Sequence, residues 1–413
     1  MERKILSIME ESTASVILSD MTDSAKSAMD ASLVFNLITN IAFSSSMYLL
    51  WGLINTLQMI LYLPMLEVSF PANVKFLYSI LLPVACLDLI PSEYTTELVF
   101  DFSDDLDSPY SNILEELGYE THNSISNLGS IFTYFAIFVV GTVFMSVLKL
   151  TGLKIKRIKK LYRFLKDMLI FNGFILLFME GCMEVVISAY VNLSSNLLYT
   201  WSDKFSYYFS YVALAINLIL LPLGLIFVMN VRKKALANKY WQKRFGSIYE
   251  GVKIDSIWSL SYNLIQLTRR LIFLFVVFHP GFELPSALRI LMIIYLNLFF
   301  NIYQVGVRPF EVPSKNNLEN FNETIIFCVT FFVMLFTEYL NIEQQNIAGW
   351  ATIGLVSLNI LVNLITMVAP PVYTLYLKCK GKFFKKKINR IELVQTELTP
   401  TIGQVPEAPV QIL

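Results

Sequence analysis

Twenty-one of the chain's 32 Lys and Arg residues fall in three short segments, 151–167, 232–253 and 376–390. Residues 92–123 carry nine Asp/Glu and neither Lys nor Arg. Between these stretches lie apolar blocks of about twenty residues, the length that crosses the hydrocarbon core of a bilayer. Charge sorted by block along an apolar chain restricts the fold to bundles that span a membrane, with the basic loops on the cytoplasmic side. Only 15% of the residues are charged and 55% are apolar, whereas a soluble domain carries about a quarter charged residues. The expected fold class is therefore all-α, a polytopic α-helical membrane protein with eight or nine transmembrane helices.

Seven spans are read at 125–148, 168–191, 205–231, 256–279, 285–306, 321–340 and 349–375. The connections then alternate as the positive-inside rule requires. Segments 151–167, 232–253, 307–320 and the basic tail fall in the cytoplasm; 92–123, 192–204, 280–284 and 341–348 fall outside. Upstream, residues 31–63 and 70–90 form two more apolar stretches, and Pro64 and Pro71 predict a turn between them. If both cross, there are nine helices with the N-terminus outside, which is the favoured reading. If one lies flat, there are eight with the N-terminus inside. The organisation is thus an amphipathic or flexible segment at 1–30 without a cleavable signal sequence, a membrane hairpin at 31–91 and an acidic extracytoplasmic loop at 92–123. A seven-helix bundle at 124–377 follows, then a basic and finally flexible cytoplasmic tail at 378–413. This topology places Asn192, in Asn192-Leu193-Ser194, outside as a glycosylation acceptor. The second sequon, at Asn322, lies on the cytoplasmic side and is expected to stay silent.

Charged and amide side chains at membrane depth are costly, so they mark the candidate sites. Glu180 and Glu184 lie four apart on one helix face, with Asn172 two turns earlier. Arg269 and Arg270 lie at matching depth in another span, preceded by Tyr262, Asn263 and Gln266. An intramembrane Glu–Arg cluster is expected, acting either as a clamp between helices or as a sensor of voltage, protons or ligand. A second polar set comprises Asn297, Asn301 and Gln304, then Glu323 and Glu338, then Asn359 and Asn363. These residues either line a hydrated path or bond neighbouring helices.

Of four cysteines, Cys86, Cys182 and Cys328 lie in apolar blocks and read as packing residues. Cys379, in KCKGKFFKKK, is a candidate for acylation. With two histidines, and without a phosphate-binding loop or metalloprotease motif, an enzyme, a bound metal or a cofactor is not expected. The basic loops are explained by orientation and anionic lipid, so nucleic acid is not an expected partner. Membrane lipid, cations, and further copies or other membrane subunits are. The outer connection NIEQQNIA is too short for a re-entrant pore helix and selectivity filter between the last two spans.

Several strings resemble one family: LWGLINTLQMILYLPMLEVSFPANVKFLYSILLPVACLDLIP at 50–91, FGSIYEGVK at 245–253, YNLIQLTRRLIF at 262–273, VRPFE at 307–311 and NFNE at 320–323. They are similar to the membrane region of large ciliate-type cysteine-rich surface proteins, itself distantly similar to the fungal TRP-like (flavin-carrier-like) membrane domain. The resemblance covers about residues 31–375. It implies a polytopic domain, in a plasma or internal membrane, that acts as a cation channel or transporter. The long ectodomain of those proteins has no counterpart here, so a ligand-recognition role does not carry over. The competing expectation is a non-conducting structural or interaction subunit of a larger membrane assembly.

Overall fold

The computed structural model describes residues 47–86, 99–102, 109–150, 174–195, 198–231, 251–278, 284–337 and 339–398, with isolated positions between them. The expected N-terminal segment 1–30, Asn172, Glu338, most of the first two basic loops and residues 399–413 lie outside the described residues.

Among the described residues the chain is helical, and its extended pairing is a single bridge between Val252 and Phe310. Helix α1 (Met47–Leu61) runs into a 3-10 turn (Leu63–Leu66), and α2 (Ala72–Ala85) follows. Pro64 sits in the first turn of the 3-10 segment, Glu67 closes it with φ 60°, and Pro71 caps α2. The proline-marked turn is therefore where the sequence places it. The acidic segment contributes two short helices, α3 (Asn112–Glu116) and α4 (Ser124–Leu128), capped by the side chains of Ser111 and Asn123. Next come α5 (Ser130–Leu150), then α6 (Phe174–Glu180) and α7 (Cys182–Ser195), which meet at Gly181. Helix α8 (Trp201–Ala215) continues through a π-helical segment (Ile216–Leu220) into α9 (Leu221–Asn230). The last helices are α10 (Ile257–Leu260), α11 (Tyr262–Phe278), α12 (Ser286–Val307), α13 (Pro313–Met334) and α14 (Ile342–Leu398). Helix α14 carries the chain on past the expected last span into the basic tail.

Among the described residues five stretches are long and apolar enough to cross a bilayer: Leu49–Leu66, Ser130–Lys149, Trp201–Asn230, Ser286–Val307 and Ile342–Ala369. On that ground the chain is a membrane protein. The other three expected spans correspond to α6–α7, α11 and α13. Each departs from a plain apolar span for a visible reason. The first is interrupted at Gly181, the second is 17 residues long and contains Arg269 and Arg270, and the third contains Lys315, Glu319 and Glu323.

Contacts at the two ends give the direction of each helix. At one end Lys253 N donates to Pro309 O (2.8 Å), Glu311 N to Gly251 O (3.0 Å), and the Asn316 side chain brackets Phe310. The motifs FGSIYEGVK and VRPFE thus clip together where α12 finishes and α13 begins. At the other end Arg289 pairs with Glu67 (3.2 Å), and Asn73 Nδ2 donates to Asn346 O (3.1 Å). Helix α1 runs from the clip end toward the second end: Gly52 faces Glu319, Asn55 meets Arg270, and Tyr62 meets Tyr119.

Helix α2 starts at the second end and returns only part of the way. Its last residue, Ala85, lies where the Gln58 amide donates both to Ala85 O (2.9 Å) and to Glu180 O (3.2 Å). Its 14 residues span about 21 Å at 1.5 Å per residue, against a hydrocarbon core of about 30 Å. Among the described residues the hairpin therefore has one helix of spanning length and one shorter helix whose last residue, Ala85, meets Gln58. Burial follows polarity. Of the two stretches, Leu49–Leu66 is 83% buried and central, while Ser130–Lys149 is 11% buried and turns Ile137, Val140, Val143 and Phe144 outward toward lipid.

The position of α2 is checked by a cysteine pair. A Cβ at Gly349 would sit 2.5 Å from the Asn73 side chain, so Asn73→Cys with Gly349→Cys is expected to cross-link under mild oxidation. Folded double variant that stays reduced would place α2 elsewhere.

Candidate functional site: a polar layer at interrupted helices

Three interruptions converge on α6. Gly181 separates α6 from α7, α2 ends against Glu180, and the π-helical segment packs alongside α6. A Cβ at Gly181 would lie 2.9 Å from Leu177 O in the preceding turn, so the backbone at the interruption favours glycine, and Ile131 of α5 packs over it. In the π-helical segment Asn217 is fully buried, and its Nδ2 donates back to Ala213 O (3.0 Å). Such π segments inside helices are often found at functional sites.

The expected Glu–Arg cluster forms in part. Arg270 stands 3.7 Å from Glu180, donates to Met179 O (2.8 Å) and also to Asn55 Oδ1. Arg269 faces the other way, because successive residues on a helix point about 100° apart. It pairs with Glu323 at 2.6 Å, donates from Nε to Asn297 Oδ1 (3.2 Å), and stacks 4.4 Å over the Phe300 ring. Glu184 has neither arginine; its Oε2 accepts from Tyr119 Oη at 2.5 Å.

The expected polar path resolves into separate groups. Asn297 donates to Thr330 Oγ1 (3.0 Å) and Asn301 to Glu323 O (3.0 Å), so both join the Arg269 network. Asn359 and Asn363 both donate to Asn322 Oδ1, at 2.8 and 2.7 Å, closing an amide triad between α13 and α14. Gln304 is buried with neither end of its amide bonded, and Glu338 lies outside the described residues. The Glu323 carboxylate is enclosed rather than placed at a mouth.

The glycosylation acceptor is corrected. Helix α7 runs to Ser195, so Asn192 is still helical and is buried. Its Nδ2 donates to His122 O (2.9 Å) and its Oδ1 accepts from Ser210 (3.1 Å). It belongs to a knot with Asn123, Ser124 and Ser206. Treatment with a deglycosylating enzyme is expected to leave the protein's mobility unchanged; a mobility shift lost in Asn192→Gln would contradict this placement.

Several participants were not singled out from the sequence. Asn55, Gln58 and Tyr62 stand three and four apart in an apolar helix, a polar stripe that the spacing does display. Tyr119 reaches the layer from the acidic loop, which no periodicity signals.

Among the described residues sixteen buried polar side-chain atoms have no hydrogen-bond partner, and six of them lie on or against α6 and α7: Gln58 Oε1, Glu180 Oε2, Glu184 Oε1, Ser188 Oγ, Asn217 Oδ1 and Arg270 Nε. Such atoms call for a water, an ion or a functional role. Glu180 and Arg270 also line a cleft with room for about one water molecule, walled further by Met179, Asn263, Gln266 and Leu267. No protein-family model, no curated protein and no solved structure matches the chain.

The clamp energetics are open to a double-variant test. Arg269→Met or Glu323→Leu alone leaves one charge buried without its partner, expected to cost about 3–5 kcal/mol. The double variant is expected to recover most of that loss in thermal unfolding in detergent. A double variant as unstable as the two singles combined would show that the pair is not the relevant interaction.

Proposed function

We propose that the chain is a membrane transport protein for small cations, with its working site at the interrupted helices around Glu180 and Arg270. The observation that carries this reading is the gathering of unpartnered buried polar atoms where α2, α6–α7 and the π-helical segment all depart from continuous helix. Interrupted helices at membrane depth are tolerated where they are buried in protein or line a water-filled space, and transporters build their substrate and ion sites from them. The resemblance of residues 50–91 and 262–273 to the membrane region of ciliate-type surface proteins, itself distantly similar to the TRP-like membrane domain, supports the same reading.

The proposed topology has eight crossings: α1, α5, α6–α7, α8–α9, α11, α12, α13 and α14, with α2 re-entrant from the outer side. The N-terminal end of α1 and the C-terminus are then cytoplasmic, as is the clip of FGSIYEGVK with VRPFE. The three basic segments and the run of α1 away from the clip support this orientation. A second reading has one observation in its favour. The Arg269–Glu323–Asn297 network and the Asn322–Asn359–Asn363 triad bond helix to helix and leave one atom each, Arg269 Nη2 and Asn359 Oδ1, without a partner, as expected of a structural or interaction subunit held by interhelical hydrogen bonds.

Reconstitution in proteoliposomes separates the two. Cation flux or current is expected in the wild type and is expected to fall sharply in Glu180→Gln, while size-exclusion behaviour is retained. Electrically silent protein under voltage, tension and calcium would overturn the transport reading in favour of the structural one.

A further inference from the structure

We propose that Glu184 is a proton-binding site, loaded and emptied through a chain of hydrogen-bonding groups formed by Tyr119, Tyr62 and Cys86. Glu184 is 3% exposed. Its Oε2 accepts from Tyr119 Oη at 2.5 Å, Tyr119 Oη lies 3.1 Å from Tyr62 Oη, and Tyr62 Oη lies 3.7 Å from Cys86 Sγ. Each link carries one hydrogen and at least one lone pair, so each can accept a proton on one side while releasing one on the other. The distances suit such a chain, the sulfur link being longer as sulfur contacts are. Cys86 is half-buried and forms the accessible end, where α2 stops inside the bundle.

The transfer balances without a co-reactant. As a proton arrives at the Cys86 sulfur, the thiol hydrogen passes to Tyr62, the Tyr62 hydrogen to Tyr119, and the Tyr119 hydrogen to Glu184 Oε2. The carboxylate becomes a carboxylic acid and every other member recovers its starting form. Reversal empties the site. Once Glu184 is protonated, its new O–H donates back to Tyr119 Oη, its Oε1 stays free to accept, and the Ser188 hydroxyl one turn further along α7 is itself buried and unpartnered.

The surroundings leave this carboxylate without a counter-ion. Arg270 on α11 is held by Met179, Asn55 and Glu180. Arg269 is committed to Glu323, and Lys315 lies over the Phe310 ring. Glu180 and Cys182 precede it on its own helical run. On α8, Asp203 closes the cap at Thr200. His122 gives its carbonyl to Asn192 and sets its ring against Tyr110. Among the described residues none of these cations forms an ion pair with Glu184. Glu184 Oε1 and Ser188 Oγ together offer too few oxygens for calcium, which takes six to eight. A proton needs one. The proposal stands apart from net transport; under the transport reading the proton becomes the coupling ion.

Infrared difference spectroscopy between acid and alkaline proteoliposomes tests it. Among the carbonyl bands that the chain's carboxyl groups give in acid, one slowly exchanging component is expected in the wild type and is expected to be missing from Glu184→Gln. Tyr119→Phe and Tyr62→Phe are expected to retain that component and slow its exchange in heavy water several-fold. A Glu184→Gln spectrum that lacks no component of the wild type, or exchange rates indifferent to both tyrosine variants, would overturn the proposal. Should Glu184→Gln fail to assemble, Tyr119→Phe decides alone. It removes the hydroxyl bonded to the carboxyl group and must shift the band; an unshifted band of unchanged exchange rate would overturn the site.

Discussion

An arginine and a glutamate cannot meet lipid tails, and they cannot meet each other in a protein interior without further partners to offset their lost hydration. Arg270 shows how this chain answers that constraint. Its guanidinium is shared among the Glu180 carboxylate, the Met179 carbonyl and Asn55, which come from two other helices. Arg269, one residue earlier, binds a different set on α12 and α13. Two adjacent residues therefore tie α11 to four neighbours. The charged helices must then sit centrally, and the apolar α5 and α8–α9 are left to face the bilayer.

The same constraint explains the interruptions. A re-entrant or broken helix exposes carbonyls that lipid cannot satisfy. Here the end of α2 is met by the Gln58 amide, which also holds Glu180 O beside the Gly181 break. One side chain thus stitches two interruptions together. Gly52 plays a related part at the clip end: a Cβ there would meet Glu319 Oε1 at 2.6 Å, so the bare backbone of α1 lets a buried carboxylate of α13 approach. Close packing and buried charge are joined in this bundle.

Much of this arrangement was legible in the sequence, and the illegible parts have physical causes. Apolar block length marks α5, α8–α9, α12 and α14 because those helices face lipid and need little else. Matching depth anticipated the meeting of Glu180 and Arg270. It did not separate Arg269 from Arg270, since depth is a coordinate along the membrane normal and the rotation between adjacent residues lies across it. The amide stripe read as one path became two networks for the same reason: spacing puts Asn297 and Asn301 on a face without saying which helix that face meets. The shortness of α2 is not legible because an apolar run of 21 residues reads as a span whether or not the helix within it is shorter. Asn192 reads as a loop residue because the hydrophobic run ends near it, whereas the helix continues to Ser195 and buries it.

If the transport reading holds, the interrupted helices around Gly181 enclose a polar site rather than a dry seam. A high-resolution structure in lipid decides this through the density between Gln58 Oε1, Glu180 Oε2 and Arg270 Nε. Ordered water or an ion bridging these atoms is expected. Side chains rearranged to bond one another, with apolar packing closing the cleft beside Asn263 and Gln266, would contradict it.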